Sequence, residues 1–180
     1  MTAGVETVDV ETVAGLPGVK LRAAASADLD SLLALEAACF DADRWSRQSW
    51  VDELEGDDRI VLVAESRTPG GDSSGPCQTY AEVVSAACFH AGPGTAELYR
   101  VMTAPGWRGL GLATLLLAQG CDWAGARGCT EILLEVRAGN DARALYADVG
   151  FTPLYERTNY YGPGLDACVM RCALEGGGDE

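Results

Sequence analysis

Three features of the sequence could act together in chemistry: a glycine-bearing turn, a carboxylate and a phenol. The turn is Arg108-Gly109-Leu110-Gly111-Leu112-Ala113, which runs into an amphipathic stretch suited to a helix. Free N–H groups in a helix's first turn point at an anion, and the helix dipole favours negative charge there. Gly109 and Gly111 let the backbone come close, and Arg108 adds a charged donor that matches phosphate. No Gly-Lys-Ser/Thr follows, and Thr114 stands where a dinucleotide loop carries its third glycine, so neither nucleotide pattern is met. Taken alone, the segment fits an ordinary loop before a core helix as well as it fits an anion site.

Glu135 ends the apolar run Ile132-Leu133-Leu134, where partial loss of hydration would strengthen it as a base. Strand alternation equally allows an exposed strand-end charge on the side of Glu131. Tyr146 lies in Ala144-Leu145-Tyr146, a short helical run, where a phenol can donate a proton or simply pack. Trp45, Tyr160 and Tyr161 are aromatics at element ends, a placement shared by binding walls and by packing residues.

The elements that must position these groups follow from periodicity and punctuation. Lys20–Ala24 reads as a first strand. A helix opens at Ala27-Asp28 with Leu29, Leu32, Leu33, Ala37 and Phe40 on one face, and Ser46 caps a second helix ending near Gly56. Ile60–Glu65, Tyr80–His90 and Ala96–Thr103 read as strands, with a hairpin tip over residues 68–76. A helix from Leu112, a buried strand over Thr130–Val136, a short helix capped by Asn140 and Asp141, and strands over Phe151–Tyr160 and Asp166–Leu174 complete the order. Residues 1–18 read as a leader, flexible or an extra strand, with the folded domain expected over 19–175 and a frayed tail over 176–180.

Composition narrows the classes. The chain has 180 residues and a formal charge of −14, enough for one well-buried α/β domain. That charge opposes non-specific nucleic-acid or anionic-membrane binding and suits a cationic protein partner. The seven cysteines include no Cys-x-x-Cys pair, and His90 is the sole histidine, so no metal site and a reducing cytoplasm are the expectations. Cys39, Cys121 and Cys129 read as small core residues and His90 as a strand-end surface residue.

Arg108-x-x-Gly111-x-Ala113 resembles the Q/R-x-x-G-x-G/A signature of GNAT acetyltransferases, preceded by Pro105-Gly106-Trp107. Leu134-Glu135-Val136-Arg137-Ala138-Gly139-Asn140, Leu145-Tyr146-x-x-x-Gly150-Phe151 and Arg157-x-Asn159-Tyr160-Tyr161 resemble the RimI-type ribosomal-protein N-terminal alanine acetyltransferases within that superfamily. The resemblance is close over residues 96–174, looser over the first helices and Trp45-Ser46, and absent over the first eighteen. It implies a single GNAT-type domain, a mixed, mostly antiparallel twisted sheet with helices on both faces. It further implies acetyl transfer from acetyl-CoA, with no metal, to the α-amine of a protein N-terminus, a small residue such as alanine on a basic ribosomal protein. By the same resemblance Glu135 is the general base and Tyr146 the general acid. Val101, Met102 and Thr103 hold the acetyl-pantetheine arm; Arg108, Gly109, Leu110, Gly111, Leu112, Ala113 and Thr114 hold the phosphates. Trp45, Tyr160 and Tyr161 become walls of a peptide slot. Asn140 is also implied as a CoA contact, although the loop to Tyr146 is one residue shorter than the pattern. The rivals are a GNAT enzyme for lysine side chains or small amines, and a non-catalytic acyl-CoA sensor.

Overall fold

The computed structural model describes residues 11–13, 15–69 and 79–174. The strands are β1 (Glu11–Thr12), β2 (Val19–Ala23), β3 (Arg59–Pro69), β4 (Thr79–Ala91), β5 (Thr95–Thr103), β6 (Glu131–Arg137), β7 (Thr152–Arg157) and β8 (Ala167–Ala173). The helices are α1 (Leu29–Cys39), α2 (Arg47–Glu55), α3 (Leu112–Ala126) and α4 (Ala142–Asp148). All strands join one sheet in the order β1-β2-β3-β4-β5-β6-β8-β7. Only β5 and β6 run parallel, as a strand pair linked through a helix must be free to do.

Alternation along the strands divides the core into two layers. Leu62, Phe89, Leu98, Ile132 and Leu134 pack under α3 and α4 through Leu116, Leu117 and Tyr146. Val61, Val63, Cys88 and Met102 face the other way, under Leu32, Leu35 and Trp50 of α1 and α2. The expected mixed sheet with helices on both faces is what forms.

Local punctuation acts as read. The Ser46 hydroxyl accepts from Ser49 N–H at 3.0 Å and starts α2. Gly150 takes φ 102° just past α4, the left-handed stop that glycine permits. Two boundaries differ. Glu11–Thr12 of the expected leader pairs with β2, leaving residues 1–10 outside the described part, as are 176–180 and most of the hairpin tip. β7 ends at Arg157 instead of Tyr160, because Asn159 turns to φ 56° and its side-chain oxygen accepts from Gly164 N–H at 2.6 Å, closing a loop.

Candidate active site

The site begins with a failure of pairing. β5 and β6 match from Thr95↔Glu131 to Leu98↔Leu134 and no further, although β5 continues to Thr103 and β6 to Arg137. At that point β5 also shifts register against β4: Cys88 faces Arg100 while Phe89 faces Leu98, so Tyr99 is an extra residue. Such a bulge bends a strand and increases its twist. The strands separate, and between them lies a cavity of about 1190 Å³ lined by both, by the Arg108 turn, by α4 and by the α1–α2 loop.

On the α3 side the cleft wall is polar backbone. Gly109 (φ 76°) and Gly111 (φ 77°) both sit in the left-handed region, and Gly111 stands at the N-cap of α3 without a side-chain cap. The first helical bond is Leu115 N–H to Gly111 O at 3.0 Å. None of the N–H groups from Gly109 to Thr114 donates to another described residue. These groups and the positive helix end make an anion cradle. Arg108 is tied by its Nε to Thr103 O at 3.1 Å, which leaves its terminal nitrogens free of partners among the described residues. Gly109, Gly111, Leu112, Ala113 and Thr114 line the cavity; Leu110 does not, and is exposed.

Val101, Met102 and Thr103 form the β5 wall, with alternate backbone groups beyond Leu98 facing no strand on the β6 side. Two of their carbonyls are already occupied. Ser85 donates to Met102 O at 2.9 Å, while Arg108 and the Cys39 thiol (3.3 Å) donate to Thr103 O. Cys39, read from sequence as core, therefore also lines the cleft.

Tyr146 reaches the cavity from α4 while its ring packs edge-on to Phe151, with centroids 6.0 Å apart. Burial, assisted by the neighbouring Tyr161 phenol, raises its hydroxyl to a pKa of about 12. That hydroxyl makes no hydrogen bond among the described residues. Glu135 lines the same cavity but belongs to the opposite sheet face, since Leu134 and Val136 on either side of it point into the α3/α4 core. Its carboxylate is ion-paired with Arg157, whose guanidinium lies 4.4 Å over the Tyr160 ring. Tyr161 donates weakly to Glu135 O at 3.5 Å and lines the cavity beside it. Sequence reasoning passed over Arg157 as a functional group, although it opens the Arg-x-Asn-Tyr-Tyr segment.

Three expected residues make contacts of their own. Asn140 lines the cleft, and its side-chain oxygen accepts from Ala142 N–H at 2.9 Å, the helix cap read from the sequence. Tyr160 stacks edge-on to Tyr161 (5.0 Å) outside the cavity wall. Trp45 is not in the wall either: it packs on Trp50 and, with Phe40, sandwiches the Arg100 guanidinium at 4.5 Å from each ring. Arg100 itself lines the cleft, anchored to the buried Glu36 at 2.6 Å. It was not anticipated. His90 is also no surface residue: it is mostly buried, bonded to Glu53 and stacked on Tyr99 at 3.9 Å.

Comparison with known proteins agrees with this geometry. A family model described as "Acetyltransferase (GNAT) family" matches residues 29–151. A [ribosomal protein bS18]-alanine N-acetyltransferase of Haemophilus influenzae is 36% identical over 83 residues, covering 44% of this chain and 57% of its own length. An uncharacterized protein of Mycobacterium leprae is 32% identical over 148 residues, covering 81% of this chain and 38% of its own. The chain thus spans less than two thirds of either curated relative. The crystal structure of the ribosomal-protein-S18-alanine N-acetyltransferase of Escherichia coli superposes with TM-score 0.71 at 23% identity, over 90% of this chain and 97% of that one. No helix among the described residues is long and apolar enough to cross a membrane.

Proposed function

Since this chain belongs to the GNAT acetyltransferase family, we propose that it transfers an acetyl group from acetyl-CoA to the free α-amine of a protein N-terminus. The favoured acceptor begins with a small residue such as alanine, on a basic ribosomal protein. The observation that carries this reading is the cleft where β5 leaves β6, open to the unpaired N–H groups of Gly109–Thr114 on one side and to Glu135 and Tyr161 on the other.

The cradle and Arg108 bind the CoA phosphates, and β5 backbone from Val101 to Thr103 guides the pantetheine arm toward the gap. Acetyl-CoA supplies the acyl group. The acceptor enters from the α1/α2 face past Tyr161. Glu135 takes a proton from the α-ammonium, directly or through water; an α-amine titrates near 7.7–8.0, about 2.5 units below a lysine side chain, so this step is less demanding for an N-terminus. The freed amine attacks the thioester carbonyl and backbone N–H groups in the gap stabilise the oxyanion; as the C–S bond breaks, the extra proton on nitrogen passes through water to the departing sulfur, which Tyr146 stabilises by a hydrogen bond. Arg157 fixes the Glu135 carboxylate and must yield part of it when the ammonium arrives. An acidic protein facing a basic substrate also favours encounter.

The test is acetyl-CoA turnover, read as CoA release, with peptides beginning Ala, Ser or Met and with an N-blocked peptide holding one internal lysine. Release confined to free α-amines, greatest with Ala or Ser, is expected. Release with the lysine peptide alone transfers the assignment to side-chain acetylation, and no release with any α-amine peptide sinks the N-terminal reading.

A further inference from the structure

On the α1/α2 face, behind the bulge in β5, three side chains of metal-binding type converge from two elements. Glu53 of α2 and Cys88 and His90 of β4 each offer one ligand atom, all within 4.8 Å of one another. We propose that Glu53, Cys88 and His90 form a site for one borderline divalent ion, Zn²⁺ above others, that pins α2 to β4 behind the cleft.

The donor set selects the ion. A thiolate, an imidazole and a single carboxylate match Zn²⁺ and its first-row neighbours, whereas Mg²⁺ or Ca²⁺ would want several oxygens and finds only those of Glu53. The atoms already share a focus. Glu53 Oε2 accepts from the Cys88 thiol at 3.1 Å and meets His90 Nε2 at 2.5 Å. A tetrahedral ion with bonds of about 2.0–2.3 Å needs its ligands roughly 3.3–3.8 Å apart. The carboxylate and imidazole must therefore part by about 1 Å and the thiol by less, which rotation of Glu53 and His90, both partly exposed, supplies around the fully buried Cys88. On binding, the ion takes the place of the shared hydrogen bonds, the Cys88 thiol proton leaves to solvent, and both sulfur and carboxylate become ligands.

Neighbouring groups support this geometry. Arg59 Nη1 holds Glu53 Oε1 at 3.3 Å and so presents Oε2 to the site, the orienting role that outer partners play around metals. Arg59 is itself paired with Asp58 at 2.9 Å, so its charge is balanced without Glu53. A divalent ion with one thiolate and one carboxylate is neutral, which suits a buried position. Tyr99 stacks on the His90 ring at 3.9 Å and fixes its plane. Side-chain exposures of 11% for Glu53 and 18% for His90 leave the site reachable from solvent, from which water would supply the fourth ligand. The expectation of no metal weighed cysteines against a lone histidine in sequence; the third ligand comes from a helix 37 residues from His90.

The reduced, chelator-stripped full chain is titrated with Co²⁺ alone and with Zn²⁺ alone. Uptake of one equivalent of Co²⁺ with a thiolate-to-cobalt charge-transfer band is expected, with displacement by Zn²⁺ and a rise in Tm. Cys88→Ser should abolish the band, Glu53→Gln and His90→Gln should weaken uptake at least tenfold, and Cys121→Ser should leave it intact. Should Cys88→Ser lose its fold by circular dichroism, the Glu53 and His90 variants decide. Absence of stoichiometric uptake by the wild type overturns the proposal. So does a band that survives all three ligand substitutions in folded protein.

Discussion

Replacing Tyr146 with phenylalanine tests how the leaving thiolate is handled. The phenol is pushed to about 12 by burial, whereas a simple thiol titrates near 8.5. Full proton transfer from Tyr146 to a free thiolate is then uphill by roughly 3.5 units, or about 4.8 kcal/mol at 1.36 kcal/mol per unit. Complete transfer ahead of C–S cleavage is accordingly disfavoured, and on the proposed mechanism the phenol would act as a hydrogen-bond donor to the developing negative sulfur. A hydrogen bond to a charged group contributes about 1.5–3 kcal/mol, so Tyr146→Phe should lower kcat about 10- to 150-fold. The ring stays packed on Phe151 and the lost hydroxyl bonds to nothing described, so Tm should move by no more than roughly 2–4 °C. The pH profile carries a second check. A phenol with a raised pKa keeps its proton until pH approaches about 12, so the wild-type rate should climb as the α-amine deprotonates near 7.7–8.0 and then stay level to about pH 10. Steady-state CoA release from pH 6 to 10 with an Ala-initiated peptide measures both. A loss under threefold, a loss above a thousandfold, or a wild-type decline near pH 9 that vanishes in the variant would refute the reasoning.

Further outcomes follow from the scaffold. Gly111→Ala places a side chain at φ 77° in open space, so its cost is backbone strain alone, about 1–2 kcal/mol, visible as a Tm drop of roughly 2–8 °C together with weaker retention on immobilised CoA. In Gly120→Ala the new Cβ would stand 2.1 Å from Phe89 Cζ, in a ring with no exposure, so overpacking of about 1–3 kcal/mol outweighs alanine's better helix propensity; urea unfolding should show net destabilisation. Arg22 joins Asp28 at 2.7 Å and Glu65 at 2.6 Å, and Arg22→Met should cost about 3 kcal/mol in urea at pH 7 by stranding the Asp28 carboxylate, while Glu65 keeps Arg67 at 2.7 Å. Arg22 holds the Asp28 carboxyl below its ordinary value, and against burial Arg67 and Arg22 do the same for Glu65. Depressed carboxylates stabilise the fold above their unfolded values and lose that contribution as pH falls through the lower folded ones. Wild-type stability should therefore fall from about pH 5 downward, and less steeply in Arg22→Met.

What could be read in advance depends on how local its cause is. The Gly111 turn, the Ser46 cap and the Gly150 stop are set by single residues acting on their own backbone, and all three stand where periodicity places them. The divergence of β5 from β6 has no such mark. It coincides with a register shift at Tyr99, a residue with neither glycine nor proline beside it, and involves two strands that the chain joins through α3. Trp45 shows the same limit. An aromatic on the first loop suggests a slot wall, yet its ring holds Arg100, a residue 55 positions later whose partner Glu36 lies in α1. Asn140 is the opposite case: the cap read from its residue type forms, its side-chain oxygen accepting from Ala142 N–H after a four-residue loop, and that local bond is the part of its role a sequence can carry.

Strand alternation gives the sharpest constraint on mechanism. Leu134 and Val136 point into the α3/α4 core with Tyr146, so Glu135 between them must face α1 and α2. In a closed sheet those two side chains would be separated by a paired layer of backbone, and no acyl group could touch both. Opening the sheet beyond Leu98 and Leu134 removes that layer at the place where the two side chains flank it. On the proposed reading the acetyl-CoA thioester lies in that gap, with the CoA phosphates on the Gly109–Thr114 side and the carbonyl exposed to an amine arriving from the other face. Donor and acceptor need not exchange places, and nothing must carry the acetyl group between them. The anion cradle is therefore only half of the site: it aims the donor at a gap that opens where β5 carries its bulge at Tyr99.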